Sequence, residues 1–282
     1  MLRLAKRLLS KGLHVTLATT KIARHRMLTS SSAAITANSI DGISLTFLSD
    51  GLSVDHDCKT NLDHYMDSLG RADPANLSSI ILHHHSHGFQ KFSCIITNLF
   101  IPWASDVAVE HGITCALLWL QPCSLYSIYY RFYNHLNQFL SSTNPNISVE
   151  SQGLPLLNTE DLLSFVFPAN PFGSFPKLFC GLFQNMKKIK WVLANSFHEL
   201  EIQTIDSMFD IHLIRPIGRE DQAVDTGVEM WKSEDNCIEW LDQQQPNSVI
   251  YVSFGSIVML SALQMESIAT GLKNCNRRFS GW

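Results

Sequence analysis

The sequence predicts an α/β fold: a parallel sheet covered by helices. Two observations carry this. Short runs of β-branched and aromatic residues alternate with stretches of helical periodicity along most of the chain. The last clear apolar run, Val249 to Val252, leads into Gly255 and Ser256 and then an amphipathic stretch. In open α/β sheets that strand–turn–helix order places ligands at the carboxyl ends of strands.

The elements follow in order. Leu2, Ala5, Leu8 and Leu9 share one helix face, and Gly12 is suited to close that helix. A strand is expected from His14 to Ala18 and another from Ile43 to Leu48, ending near Asp50 and Gly51. Asn61 to His87 reads as mostly helical, broken near Asp73-Pro74. Phe92 to Thr97 is a strand, and Pro102 suits the first turn of a helix that runs to His111 and closes at Gly112. Thr114 to Leu120 is a strand, after which Pro122 opens an aromatic helix through Tyr126, Tyr129, Tyr130 and Tyr133. Residues from about Ser141 to Pro176 are rich in Ser, Asn and Pro and read as a long surface excursion, with a short helical piece after Asn158. A helix (Phe179 to Lys188), a strand (Trp191 to Ala194) and a helix (Glu199 to Met208) come next. Gly218 to Asn247 is charged and Gln-rich, with one helix near Cys237 to Leu241. Beyond the last strand, Ser261 and Gln264 have capping-box spacing, and Met265, Ile268, Ala269 and Leu272 recur at helical spacing.

This order predicts a Rossmann-like domain over residues 1–218, a linker over 219–247, and the start of a second such domain over 248–282. A helix followed at once by a strand is half of a βαβ unit. The first domain is therefore expected to lack its first strand, and the second to hold only its first βα unit. In such sheets the first strand is central. Without it, each buried backbone group left unpaired costs about 1–3 kcal/mol, and the isolated chain is expected to be poorly soluble.

Composition narrows the function. Of 282 residues, 45% are hydrophobic and 16% charged, which supplies ample core material. A net charge of −4 gives no electrostatic case for nucleic acid or an anionic membrane. No apolar run is long enough to span a bilayer. The seven cysteines are scattered, with no Cys-x-x-Cys pair, which points to reduced thiols in a cytoplasmic protein. The Asn76-Leu-Ser78 and Asn146-Ile-Ser148 patterns then read as unmodified. The absence of acidic residues before Asp41 imitates a transit peptide, but the helix-then-strand pattern explains that stretch better. His83, His84, His85 and His87 cluster without accompanying ligands, so a polar helix surface is the simpler reading and no metal is expected.

Several blocks resemble plant UDP-dependent glycosyltransferases. Cys237-Ile-Glu-Trp-Leu-Asp-Gln-Gln-Gln-Pro-Asn-Ser-Val-Ile-Tyr-Val-Ser-Phe-Gly-Ser256 looks like their passage from linker to second domain. Ile101-Pro-Trp-Ala-Ser-Asp-Val-Ala108, Leu118-Trp-Leu-Gln-Pro-Cys-Ser124 and Trp191-Val-Leu-Ala-Asn-Ser-Phe-His-Glu-Leu200 are similar to their acceptor-domain blocks. Met1 to Gly12 matches their first helix. The resemblance implies a GT-B fold of two Rossmann-like domains. It also implies inverting transfer of a sugar, usually glucose, from a UDP-sugar to a small acceptor. UDP-glucose would be a co-substrate, no further cofactor is implied, and the expected state is a monomer.

By the same resemblance, the family's general base is a His ahead of the first helix, outside this chain. The Asp that orients it corresponds to Asn98, at the end of Ser93-Cys-Ile-Ile-Thr-Asn98. A neutral amide does not stabilise an imidazolium as a carboxylate does. Either the site is weakened, or the acceptor is a carboxylic acid. With a pKa of about 4.3 such an acid is already ionised, whereas a phenol near 10 needs a base. Thr97 to Trp103 also resembles the branch that makes glucose esters. Gly255 and Ser256 match the position that holds the UDP diphosphate, and the larger donor box is not matched. Trp119, Gln121 and Ser124, at a strand end, are candidates for the acceptor pocket, although a lone Trp such as Trp119 is more often core. Phe165, Phe167, Phe172 and Phe175 either cap an acceptor or simply pack. The segment Arg277 to Trp282 departs from the family's continuation into a strand, and residues are missing by comparison near Arg215 to Glu220. These departures point to a partial or inactive form. The alternative is a non-catalytic protein that binds an acceptor or a partner.

Overall fold

The chain divides into two units, Met1–Met230 and Trp231–Trp282, in a computed structural model. The structure describes residues 1–30, 39–49, 51–53, 56, 62–71, 74–86, 90–139, 146–162, 164–167, 173–208, 214–216, 237–253, 260–275 and 278–281.

Unit 1 begins with helix α1 (Leu2–Ser10), ended by Lys11 and by Gly12 at φ +80°, a conformation that favours glycine. Strand β1 (Thr16–Thr20) pairs in parallel with β3 (Ile43–Leu48), from Thr16 opposite Ser44 to Thr20 opposite Leu48. Between them lie helix α2 (Lys21–Ser30) and the short strand β2 (Ser39–Ile40), neither legible as an apolar run. The first strand sits two residues later than expected, where the β3 register holds it. Two helices follow, α3 (Leu62–Arg71) and α4 (Pro74–Ser86), with Pro74 opening the second as its fixed φ allows.

A second sheet has the order β4–β5–β6–β7 and is wholly parallel. Its strands are β4 (Cys94–Thr97), β5 (Thr114–Trp119), β6 (Trp191–Ala194) and β7 (Ile214–Pro216). Helix α5 (Ala104–Glu110) connects β4 to β5, and α6 (Cys123–Tyr133) leaves β5. Helices α7 (Ser174–Gln184) and α8 (Ile202–Ser207) flank β6 in sequence. In the long excursion, Val149 and Leu157 form an antiparallel bridge, and Asn158 with Asp161 forms a capping box on a short 3-10 turn.

The main core lies between β5, α6 and α7. Trp119 is fully buried and meets Tyr126 edge-on at 5.5 Å, with Tyr129, Phe179 and Phe183 around it. Its indole N–H donates to the Pro122 carbonyl at 3.0 Å, so its polar atom is satisfied inside the cluster. Phe165 stacks on Phe175 at 5.2 Å and lies against Phe179 at 5.3 Å, which places both phenylalanines in packing; Phe172 lies outside the described residues.

Unit 2 holds α9 (Cys237–Asp242), β8 (Val249–Val252), α10 (Ala262–Asn274) and β9 (Arg278–Gly281). Ser261 and Gln264 form the expected capping box, with Gln264 N–H donating to Ser261 Oγ at 3.3 Å. One expectation is corrected. Arg278–Gly281 is a strand, paired in parallel with β8 from Val249 opposite Arg278 to Val252 opposite Gly281. The unit is therefore βαβ rather than a single βα step. The segment lacks an apolar run, and pairing with the apolar β8 edge holds it extended. The expected linker, 219–247, lies largely outside the described residues.

Candidate functional site

Unit 1 contains a cavity of about 870 Å³. One end of it opens where the strands of the second sheet finish. There Thr97 and Asn98 follow β4, Leu118 and Leu120 flank the end of β5, and Asn195 and Ser196 follow β6. This is where a parallel α/β sheet is built to receive a ligand. The walls are mostly apolar, with a few amide and hydroxyl groups at the strand ends, the usual make-up of a small-molecule site.

The loop after β4 is held by short-range hydrogen bonds. Thr97, fully buried, donates its hydroxyl to the Ile101 carbonyl at 3.1 Å. Asn98 Oδ1 accepts the Phe100 N–H at 2.9 Å. That bond turns the oxygen inward to the loop and leaves Nδ2 as the donor end of a cavity-lining side chain. Asn98 is thus a neutral amide at the cavity wall where a carboxylate would carry negative charge.

A second fixture joins β6 to α6. Glu201 accepts the backbone N–H of Cys123 and of Ser124, each at 2.9 Å, and the Ser196 hydroxyl at 2.6 Å. Pro122, the N-cap of α6, provides no side-chain cap, so Glu201 satisfies the helix's first N–H groups from 77 and 78 residues away. Burial alone would raise the Glu201 pKa. The Ser196 hydroxyl and the Cys123 and Ser124 N–H groups outweigh it and hold the carboxyl below its ordinary value. Burial and the Glu201 charge push the Cys123 thiol up to about 12, so it is an inert thiol.

The expected site residues separate. Asn98 lines the cavity, whereas Trp119 does not. Side chains alternate across a strand, so Leu118 and Leu120 face the cavity while Trp119 turns into the core. Gln121 is half-buried, with its Oε1 unpartnered, and is not part of the cavity wall. Ser124 is engaged with Glu201 at the start of α6. Gly255 and Ser256 lie outside the described residues. Sequence reasoning missed Leu118, Leu120, Asn195 and Ser196 as wall residues; the period-2 alternation of β5 held the signal for the first two. His84 packs on Phe92 at 4.3 Å, and its Nε2 meets the Gln90 carbonyl at 3.1 Å; His87 lies outside the described residues. Among the described residues no group of three or more His, Cys, Asp or Glu is arranged to hold a metal.

No family model matches the chain. UDP-glycosyltransferase 84B2 of Arabidopsis thaliana is 41% identical over 284 residues, spanning 97% of this chain and 61% of the relative. Gallate 1-beta-glucosyltransferase 84A24 of Punica granatum is 35% identical, spanning 99% of this chain and 55% of the relative. Limonoid UDP-glucosyltransferase of Citrus unshiu is 34% identical over 99% of this chain and 56% of its own length. Among solved structures, Os79 from O. sativa in complex with UDP superposes with a TM-score of 0.75 at 23% identity, covering 99% of this chain and 63% of that one. The chain spans about three fifths of the length of the curated relatives it matches. By sequence it is a relative of the plant UDP-glycosyltransferases, and by fold it matches their GT-B structures.

Proposed function

We propose that the chain supplies the acceptor-binding part of a glucosyltransferase that moves glucose from UDP-glucose to a small carboxylic acid, forming a glucose ester. Residues 1–218 would hold the acceptor, and 248–282 would begin the part that holds the donor, with Gly255 and Ser256 at its diphosphate. UDP-glucose is the co-substrate and no further cofactor enters.

The single observation that carries this reading is Asn98. Its oxygen is committed to the Phe100 N–H, and its amide donor belongs to a wall of the cavity. A donor suits an acceptor that arrives as an anion. An ionised carboxylate is itself the nucleophile, so no proton has to be removed and no orienting carboxylate is needed. Replacing Asn98 by a carboxylate would instead repel such an acceptor. A relative named for gallate, a carboxylic acid, fits the same chemistry.

We also propose a cytoplasmic monomer. Cys94, Cys115, Cys123, Cys180 and Cys275 are free thiols, and no helix among the described residues is long and apolar enough to cross a membrane.

The test joins this chain to the remaining part of the 41%-identical Arabidopsis relative and follows transfer from radiolabelled UDP-glucose. Turnover of benzoic- and cinnamic-type acids is expected, with little on flavonols. Good turnover of flavonols with none of acids would overturn the proposal.

A further inference from the structure

Two hydroxyl-bearing residues of the cavity wall stand at strand ends of the second sheet, Thr97 on β4 and Ser196 after β6. A hydroxyl has one hydrogen and two lone pairs, so its partners within the protein decide what it can offer a ligand. Thr97 spends its hydrogen on the Ile101 carbonyl at 3.1 Å. Ser196, 7% exposed, spends its own on Glu201 Oε2 at 2.6 Å. Glu201 is ionised at neutral pH and only accepts, so the hydrogen in that bond comes from Ser196. Glu201 is itself held: Oε2 also accepts the Cys123 N–H and Oε1 the Ser124 N–H, each at 2.9 Å. The backbone beside Ser196 is fixed as well, because the Asn195 N–H donates to the Trp119 carbonyl at 2.9 Å. The Cys123 thiol lies near Ser196 but is a weak donor, so at least one Ser196 lone pair stays open.

We propose that Ser196 is a specificity-determining residue of the acceptor site and that Glu201 is its positioning residue. The inference rests on the reading of this cavity as an acceptor site, and it names a preference within that site. With its hydrogen committed, Ser196 meets a ligand only as a hydrogen-bond acceptor. It therefore selects a ligand that carries a ring hydroxyl over the same ligand capped as a methoxyl. The hydroxyl donates to Ser196, whereas the methoxyl oxygen brings lone pair against lone pair and leaves both desolvated. Ile101, Leu118 and Leu120 belong to the same stretch of wall and offer the ligand no polar side chain in exchange. Glu201 is not part of the wall and acts through Ser196. Its charge matters because two carboxylate oxygens serve three donors. An amide at that position has one oxygen and two hydrogens. Of the three donors, the two N–H groups are fixed at the start of α6, and only the hydroxyl can turn. Replacing the carboxylate by an amide thus frees the Ser196 hydrogen, and the wall hydroxyl becomes a donor as well as an acceptor.

The probes are 3- and 4-hydroxybenzoate, each set against its methoxy counterpart, and the methyl esters of all four. They are titrated into the full 282-residue chain and read by ligand-observed NMR. The better hydroxy isomer is expected to bind about tenfold more tightly than its methoxy counterpart, as acid and as ester alike. Ser196→Ala is expected to bring that ratio close to one. Glu201→Gln changes no volume at the wall and is expected to lower the ratio to about threefold or less, whereas a preference set by size alone would not move. Should Glu201→Gln not fold, Glu201→Asp, whose carboxylate falls one methylene short of Ser196, carries the same expectation. Equal binding of hydroxy and methoxy partners by the parent chain, or no binding of any probe at millimolar concentration, would overturn the proposal. A ratio unchanged in Ser196→Ala overturns the role of Ser196, and one unchanged in the Glu201 variant overturns the role of Glu201. Esters that bind as tightly as the acids would count against the carboxylate acceptor instead, while a hydroxyl preference that survives in them supports Ser196.

Discussion

The tie made by Glu201 stabilises the strand-end side of unit 1. Glu201→Ala removes an acceptor of three hydrogen bonds, from the Cys123 N–H, the Ser124 N–H and the Ser196 hydroxyl. Two of these are the first N–H groups of α6, which has no side-chain cap of its own. Losing a helix cap costs about 0.5–2 kcal/mol, and a hydrogen bond to a charged group contributes about 1.5–3 kcal/mol. Glu201 is partly exposed, so solvent screening lowers the sum, and the expected loss is about 2–3 kcal/mol. For a unit of this size that corresponds to a fall in melting temperature of about 5–10 °C. Urea unfolding followed by tryptophan fluorescence measures it, because Trp119 is buried beside Tyr126 at the start of α6. Glu201→Gln keeps one acceptor oxygen and is expected to lose about half as much. The pH dependence follows from sign. The folded carboxyl lies below its ordinary value of 4.5, because the Ser196, Cys123 and Ser124 bonds outweigh the opposing effect of burial. Its contribution is therefore present above about pH 4.5 and is lost as pH falls through the folded pKa. Glu201→Gln removes that part of the acid slope. A Glu201→Ala chain within about 0.5 kcal/mol of the parent, or an acid slope unchanged by Glu201→Gln, would refute this account.

Three further outcomes are expected. Gly153 sits at φ +78°, and an added Cβ would fall 2.5 Å from the Gln203 carbonyl oxygen and against the Ser207 side chain, so Gly153→Ala should cost about 2–4 kcal/mol by thermal melt. Trp119→Leu should lose about 3 kcal/mol of stability yet leave the affinity for a benzoate-type acid unchanged in a calorimetric titration, because the side chain packs in the core; a large change in affinity would return Trp119 to the site. Asn98→Asp should weaken that affinity about fivefold, from a like-charge repulsion of about 1 kcal/mol at about 4 Å in water, as read by NMR titration; unchanged or tighter binding would count against a carboxylate acceptor.

Much of the fold was legible because its strands are apolar runs. Ile43 to Leu48, Trp191 to Ala194 and Val249 to Val252 are strands over the expected residues. The elements that were not legible lack that signal. Lys21–Ser30 mixes basic and apolar residues without a clear helical face, Ser39–Ile40 is two residues long, and Arg278–Gly281 is extended only through its pairing with β8. Asn98 was legible as a strand-end residue and lines the cavity, whereas the tie at Glu201 was illegible, because its partners lie 77 and 78 residues away in sequence.

The order of strands and helices, the capping box at Ser261 and the kinship with plant UDP-glycosyltransferases were determined by the sequence alone, because propensity, periodicity and motif spacing are local properties. Tertiary structure decided which face of β5 meets the cavity, and so sent Trp119 to the core and Leu118 and Leu120 to the wall. It also decided that, among the described residues, the strands of unit 1 pair as two sheets, β1–β3–β2 and β4–β5–β6–β7. Both depend on which distant backbone edges pair, and pairing across long loops leaves no trace in any one stretch of chain.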